Sequence, residues 1–183
     1  MENKLKTAVV AGGCFWCVEA VFELVEGVEK VVSGYAGGSK ETANYRAVCS
    51  GNTNHAEVVE ITYDPAVIDL EELYKIFFTT HDPTTLNRQG NDRGTQYRSA
   101  IFYKDAEEKA IAEKVMQDYA PQIWDDPIVT TLEPLEELFA GEKYHQNYYQ
   151  RTGDANPYCT VVITPKVAKF RQKFAHRLKK ANA

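Results

Sequence analysis

A chain of 183 residues with 44% hydrophobic content is long enough to bury a substantial core as one domain, and short for two. Its net charge of −5 argues against a surface built to neutralise phosphates, so nucleic acid is not an expected partner. No stretch approaches the apolar length of a membrane span or leader, and the expected setting is cytoplasmic, where the four cysteines would be reduced thiols engaged in chemistry rather than structural staples.

Short runs rich in β-branched and aromatic residues predict strands at 7–11, 28–33, 56–63, 98–103, 128–132 and 160–163. Helical patterns lie between them. After Cys14 the apolar positions Val18, Val21, Phe22 and Val25 form one stripe, closed by Gly27. Asp69 with Glu72, and Asp105 with Glu108, have the spacing of capping pairs that open two further helices. The first would bury Leu70, Leu73, Tyr74 and Phe77; the second Ile111, Val115 and Tyr119. A basic helix at about 165–180, with Val167, Phe170, Phe174 and Leu178 at helical spacing, is expected to dock on the rest. Alternating strands and helices give an α/β or α+β two-layer domain spanning 1–183. Two segments, 34–51 and 81–96, fit neither period; polar loops of that length in a compact domain are usually functional.

Cys14 follows a strand and a double-glycine turn at the first residue of a helix, where free N–H groups and the helix dipole are expected to lower a thiol pKa toward neutrality. Its neighbours Phe15 and Trp16 cannot both face the core from consecutive helical positions, which suggests an aromatic pocket beside the thiol. Cys17 completes a Cys-x-x-Cys pair, and residues three apart share a helix face. Half a zinc site is a weak reading of that pair, because no second pair supplies the remaining ligands. In the strand at 56–63, Glu57 has the parity of Val59, Ile61 and Tyr63, so it is expected to face apolar surroundings that raise its pKa and make it a proton donor. His55 shares the parity and is read as structural. Tyr45, Tyr97 and Tyr148 lie in or beside the irregular segments, where a phenol can donate to a polar substrate oxygen.

GGCFW at 12–16, GYAGG at 34–38, YRAVCSG at 45–51, HAEVV at 55–59, HDPT at 81–84, NRQGNDRGTQYRS at 87–99 and YHQ at 144–146 together resemble type-A peptide methionine sulfoxide reductases, in order from about residue 7 to residue 159. The resemblance implies a two-layer α/β roll with a mixed sheet flanked by helices and a ferredoxin-like core. It implies reduction of the S epimer of methionine sulfoxide, free or in proteins, a lesion such enzymes reverse. Cys14 would then be the nucleophile, Phe15 and Trp16 the pocket for the substrate methyl group, and Glu57, Tyr45 and Tyr97 the groups that handle the sulfoxide oxygen; Tyr148 is expected to bind substrate with Phe15 and Trp16. Asp92 matches a residue placed near the active site. The resemblance implies no metal and no organic cofactor, with thioredoxin as external reductant and the protein expected to work as a monomer.

The chain departs from the family at two positions, carrying Cys17 and Asn54 where the family usually has glycine. Cys159 resembles the family's resolving cysteine; Cys17 is a second candidate, and a relay through both is a third. A thiol–disulfide oxidoreductase using Cys14 and Cys17 alone is the alternative enzyme, and it gives Glu57 no role. A binding domain with structural cysteines would leave the polar loop at 87–99 unexplained.

Overall fold

The computed structural model describes residues 4–179, the side chains of residues 154, 159 and 160 excepted. In chain order the elements are β1 (Lys6–Gly12), α1 (Phe15–Phe22), β2 (Val28–Ala36), α2 (Tyr45–Cys49), β3 (Ala56–Tyr63), α3 (Leu70–Thr80), β4 (Arg88–Gln89), β5 (Asp92–Arg93), β6 (Ser99–Tyr103), α4 (Ala106–Asp118), α5 (Ala120–Ile123), β7 (Thr131–Pro134), β8 (Leu138–Ala140), α6 (Tyr148–Thr152) and α7 (Thr164–Lys173). Six strands form one sheet in the order β7-β6-β1-β3-β2-β8, and β4 and β5 make a separate small hairpin. All neighbours in the large sheet run antiparallel except β6 and β7, so the sheet is mixed. Its centre, β6-β1-β3-β2, is the ferredoxin-like arrangement, with α1 joining β1 to β2 and α3 lying between β3 and β6.

Alternation along β3 places Val59, Ile61 and Tyr63 in the main core with α1 and α3, while Ala56 and Val58 face a smaller core with Val9, Ala11, Ala100 and Phe102. Both capping pairs work as the spacing predicts. Asp69 accepts from the N–H of Glu72 at 2.8 Å, and Asp105 accepts from that of Glu108 at 2.9 Å. Helix α3 buries Leu70, Leu73, Tyr74 and Phe77 as expected. On α4 only Val115 of the predicted stripe is fully covered, with Ile111 and Tyr119 packed at its edge.

The predicted strand at 160–163 is instead a helical turn, Cys159–Ile163, leading into α7. Its β-branched run finds no strand partner. Ile163 is buried while Val161 is 72% exposed, and packing of that one residue into the helical layer overrides the β preference. The strand expected at 128–132 runs instead from Thr131 to Pro134, its register set by parallel pairing of Thr131 with Ala100. Helix α1 stops at Phe22, short of the predicted Val25, which instead bridges to Leu178. The basic helix is shorter than expected, ending at Lys173 before a turn at Ala175–Arg177, but it docks through Val167, Phe170 and Phe174.

Asn54 has φ of 64°. That left-handed conformation explains glycine as the family's usual choice there, and asparagine is the side chain that tolerates it best. Segment 81–96 is ordered by its own polar groups: the Gln89 side-chain oxygen accepts from the Asp82 N–H at 3.0 Å, and Thr85 donates to the Arg88 carbonyl at 2.6 Å.

Candidate active site

Strand β1 delivers the chain to the Gly12–Gly13 turn, and Gly13 adopts φ of 93°, open to glycine without strain. A Cβ there would lie 2.4 Å from Cγ of Gln89, so the missing side chain also lets the 81–96 loop close over the turn. Cys14 is then the N-cap of α1, and its carbonyl accepts from the Cys17 N–H at 3.0 Å. Both thiols are buried, in free form, and they share a side-chain hydrogen bond.

Glu57, 2% exposed at the start of β3, reaches the same place from the sheet. One of its carboxyl oxygens accepts the Phe15 N–H, the first free amide of α1, at 3.1 Å. Burial pushes this carboxyl up to about 8 against the opposing pull of that hydrogen bond, which keeps it protonated at neutral pH. The parity argument is borne out: Glu57 faces apolar surroundings.

The expectation for Cys14 is not. Burial, reinforced by the neighbouring Cys17 thiol, pushes Cys14 up, and Cys17 is pulled down by the hydrogen bond from Cys14. The physical reason is local. Glu57 already occupies the first helical N–H, and a sulfur enclosed among Phe15, Tyr158 and Glu57 loses more from desolvation than the helix terminus returns.

A cavity of about 190 Å³ brings together Cys14, Phe15, Trp16, Tyr45, Glu57, Asp92, Tyr97 and Tyr158. Seven of these eight are residues the sequence singles out, drawn from α1, α2, β3 and the 81–96 segment with its following turn. Phe15 is buried and Trp16 half-buried, their ring centroids 6.2 Å apart, so the two rings diverge as consecutive helical positions require. Tyr45 and Tyr97 are held in the phenol form by burial and remain hydrogen-bond donors.

Tyr148 is a correction. It does not line the cavity but stacks on the outer face of Trp16, with centroids 3.9 Å apart and planes inclined by 10°. Its position is fixed by Glu19, which accepts from the Tyr148 N–H at 3.1 Å and from the Ser33 hydroxyl at 2.9 Å. Cys17 contacts the site but does not line the cavity, and Cys49 is exposed on α2. Cys159 begins the turn before α7, and its side chain lies outside the described residues. His55 is buried and bonded to the Gly38 N–H and the Ser39 carbonyl, a structural role as read.

Four participants are given no role by the sequence alone. The Tyr158 hydroxyl donates to Asp92 at 2.8 Å and lies 3.7 Å from the Cys17 sulfur, a meeting across 66 and 141 positions of chain that no local pattern announces. His145 accepts at Nδ1 from the Trp16 indole N–H at 3.1 Å. Glu142 accepts from the Tyr45 N–H at 3.1 Å and from the Tyr35 hydroxyl at 3.2 Å. Glu19 carries the one usable signal, a lone carboxylate in the otherwise apolar helix FWCVEAVF. Among the described residues, no group of three or more His, Cys, Asp or Glu side chains is arranged to hold a metal ion, and no helix is long and apolar enough to cross a membrane.

A family model described as peptide methionine sulfoxide reductase matches residues 6–178. The chain belongs to the peptide methionine sulfoxide reductase family. It is 53% identical over 175 residues to peptide methionine sulfoxide reductase MsrA of Chromobacterium violaceum, covering 95% of this chain and 99% of that protein. Its fold is similar to that of Mxr1 from Saccharomyces cerevisiae in reduced form, with TM-score 0.79 and 36% identity over 84% of this chain and 89% of the other. Mxr1 in complex with Trx2 is also similar, with TM-score 0.57 and 27% identity over 81% of this chain and 87% of that one.

Proposed function

We propose that this chain is a single-domain cytoplasmic enzyme that reduces the S epimer of methionine sulfoxide, free and in oxidised proteins, and is regenerated by thioredoxin. The observation that carries this reading is the meeting of a buried thiol and a protonated carboxyl in one aromatic cavity: Cys14 and Glu57, walled by Phe15 and Trp16. A sulfoxide places a polar oxygen, a sulfur and a methyl group on three sides of one centre. The cavity offers donors, a nucleophile and apolar rings in the same compass.

As the Cys14 sulfur attacks the sulfoxide sulfur, Glu57 protonates the departing oxygen, aided by the Tyr45 and Tyr97 hydroxyls, and the thiol proton returns to the carboxylate. An S–S bond forms between Cys14 and the substrate as the S–O bond breaks. The released oxygen, as hydroxide, then attacks the Cys14 sulfur, the S–S bond breaks, and methionine leaves reduced by two electrons. The oxygen ends on Cys14 as a sulfenic acid, and the hydrogen given up by the thiol balances it. Because burial disfavours both the thiolate and the carboxylate, the resting pair stays neutral and charge appears only against the polarised substrate.

A second thiol then condenses with the sulfenic acid, releasing water and forming a disulfide. Cys17 takes this step: it touches Cys14 and carries the lower pKa of the two. Cys159 follows Tyr158, whose hydroxyl lies beside Cys17, and is the next thiol for exchange before the thioredoxin dithiol reduces the enzyme. These side chains supply the chemistry without an added metal or organic group. A thiol–disulfide oxidoreductase built on Cys14 and Cys17 leaves Glu57 and the aromatic cavity without work.

The test is a coupled assay with thioredoxin and its reductase on the two separated epimers of methionine sulfoxide. Turnover of the S epimer alone is expected. Turnover of neither epimer, with reduction of protein disulfides instead, would replace this reading by the alternative.

A further inference from the structure

Helix α1 carries one carboxyl in an otherwise apolar run, Glu19, and the reaction described above gives it no part. It is fully buried, and burial pushes it up to about 7 against the pull of the hydrogen bonds it accepts. An apolar side chain would be covered there at less cost, so the carboxyl is accounted for by what it holds. One oxygen accepts from the Ser33 hydroxyl of β2 at 2.9 Å, and the other from the Tyr148 N–H at 3.1 Å. Ser33 also binds the chain just before Tyr148: its N–H donates to the Gln146 side chain and its carbonyl accepts from it, both at 2.9 Å. The stretch from His145 to Tyr148 is thus clamped at Gln146 by β2 and at Tyr148 by α1. Both its ends meet Trp16: His145 accepts the indole N–H at 3.1 Å, and Tyr148 stacks on the ring with centroids 3.9 Å apart. Trp16 and Glu19 lie three positions apart on α1 and share a face, so one helix supplies both the ring and the acceptor that holds Tyr148 over it.

We infer that Glu19 is a positioning residue for the substrate methyl group: through Tyr148 it holds Trp16 as a fixed wall of the reacting cavity. This rests on the proposed reduction of methionine sulfoxide, in which Phe15 and Trp16 receive that methyl group. Glu19 itself does not line the cavity, whereas Trp16 does, half-buried and with Tyr148 on its other face. Without that second face covered, the indole gains freedom that substrate binding must then remove, so a loosened wall lowers affinity. The methyl group keeps its place from bound substrate to transition state, so the loss falls on KM and spares kcat.

Glu19→Ala, Glu19→Gln, Tyr148→Ala and the double variant Glu19→Ala/Tyr148→Ala test this with free S-methionine sulfoxide and dithiothreitol. In Glu19→Ala, KM is expected to rise about fivefold with kcat within about twofold, and Glu19→Gln, which still accepts from the Tyr148 N–H, should recover most of the loss. Tyr148→Ala should raise KM by a similar factor. Adding Glu19→Ala to it should change KM by less than about twofold, because the carboxyl acts through that ring. Trp16 and Trp124 are the two tryptophans of the chain, so in a Trp124→Phe background the emission reports on Trp16 alone. There Glu19→Ala should shift emission to the red and increase quenching by acrylamide, with Glu19→Gln close to its parent. The inference is overturned if kcat falls while KM holds, if the two losses multiply in the double variant, or if Glu19→Ala leaves the Trp16 emission unmoved. Tyr148→Ala keeps the buried anchor in place, so an unchanged KM in that variant overturns the inference even where Glu19→Ala does not fold. Absence of turnover by the unaltered protein would fall instead on the proposed function, and the emission shift would still test the wall.

Discussion

The Phe15 N–H donates to one carboxyl oxygen of Glu57 at 3.1 Å, so the helix that presents Cys14 and the strand that presents the acid are tied by a single hydrogen bond. That bond fixes which oxygen carries the proton. The oxygen facing the amide accepts, and the acidic hydrogen therefore sits on the other, where it can be given to a substrate oxygen in the cavity.

Replacing Glu57 by Gln keeps the acceptor for Phe15 but removes the transferable proton. Single-turnover release of methionine is expected to slow by about a hundredfold or more, the usual scale for a lost general acid. In the unaltered protein the chemical step should fall as pH rises through about 8, where Glu57 ionises. A Glu57→Gln variant measured by rapid quench across the same range should lose that limb, and an unchanged profile would assign the proton elsewhere.

The same carboxyl weakens the fold at alkaline pH. Its folded pKa, about 8, lies above the ordinary glutamate value of 4.5, so the folded state holds the proton more tightly than the unfolded chain does. This contribution to stability is full below about 4.5 and is lost as pH climbs toward 8. Glu57→Gln should therefore melt several degrees higher than the natural protein at pH above about 8, with the gap closing under acid conditions. Calorimetric Tm values at both ends check the sign.

Gly13→Ala combines a strained φ of 93° with a Cβ placed 2.4 Å from the Gln89 side chain. A cost of about 1–3 kcal/mol is expected from strain of this kind, together with displacement of the loop carrying Asp92. Urea unfolding and kcat measured on one preparation should show both losses.

His145 holds the Trp16 indole while Tyr148 covers its outer face. His145→Ala should free that wall and raise KM for free methionine sulfoxide about tenfold with kcat changed far less, because an apolar contact with the methyl group acts in ground and transition states alike. His145→Gln, which restores an acceptor, should recover part of the loss.

Much of this site was legible because its signals are local. The glycine turn before Cys14, the parity of Glu57 along β3 and the polar run holding Asp92 and Tyr97 each depend on a few adjacent residues, and each places its side chain where the cavity forms. The ferredoxin-like order of strands came from resemblance, since sheet order depends on pairings that no single segment encodes. Tyr158 was invisible for the same reason: its partners Asp92 and Cys17 are brought to it only by the docking of the C-terminal segment. The thiol pKa was misread because helix position was weighed without burial. Tyr148 was misplaced because the Glu19 anchor that turns it behind Trp16 rests on a long-range hydrogen bond.

Cys17→Ser should permit one stoichiometric release of methionine and delay disulfide formation. The natural protein quenched early in turnover should yield a Cys14–Cys17 bridge on mass mapping before any bridge to Cys159. A Cys14–Cys159 bridge formed at full rate in Cys17→Ser would pass the resolving role to Cys159.

Transfer of the oxygen from methionine sulfoxide to Cys14 can be followed in a variant with Cys17 and Cys159 both changed to Ser. One equivalent of S-methionine sulfoxide, followed by a sulfenic-acid-specific nucleophile and peptide mass analysis, should give equal amounts of methionine and of adduct on the peptide holding Cys14. Methionine release without a Cys14 adduct, or undiminished release from Cys14→Ser, would contradict it.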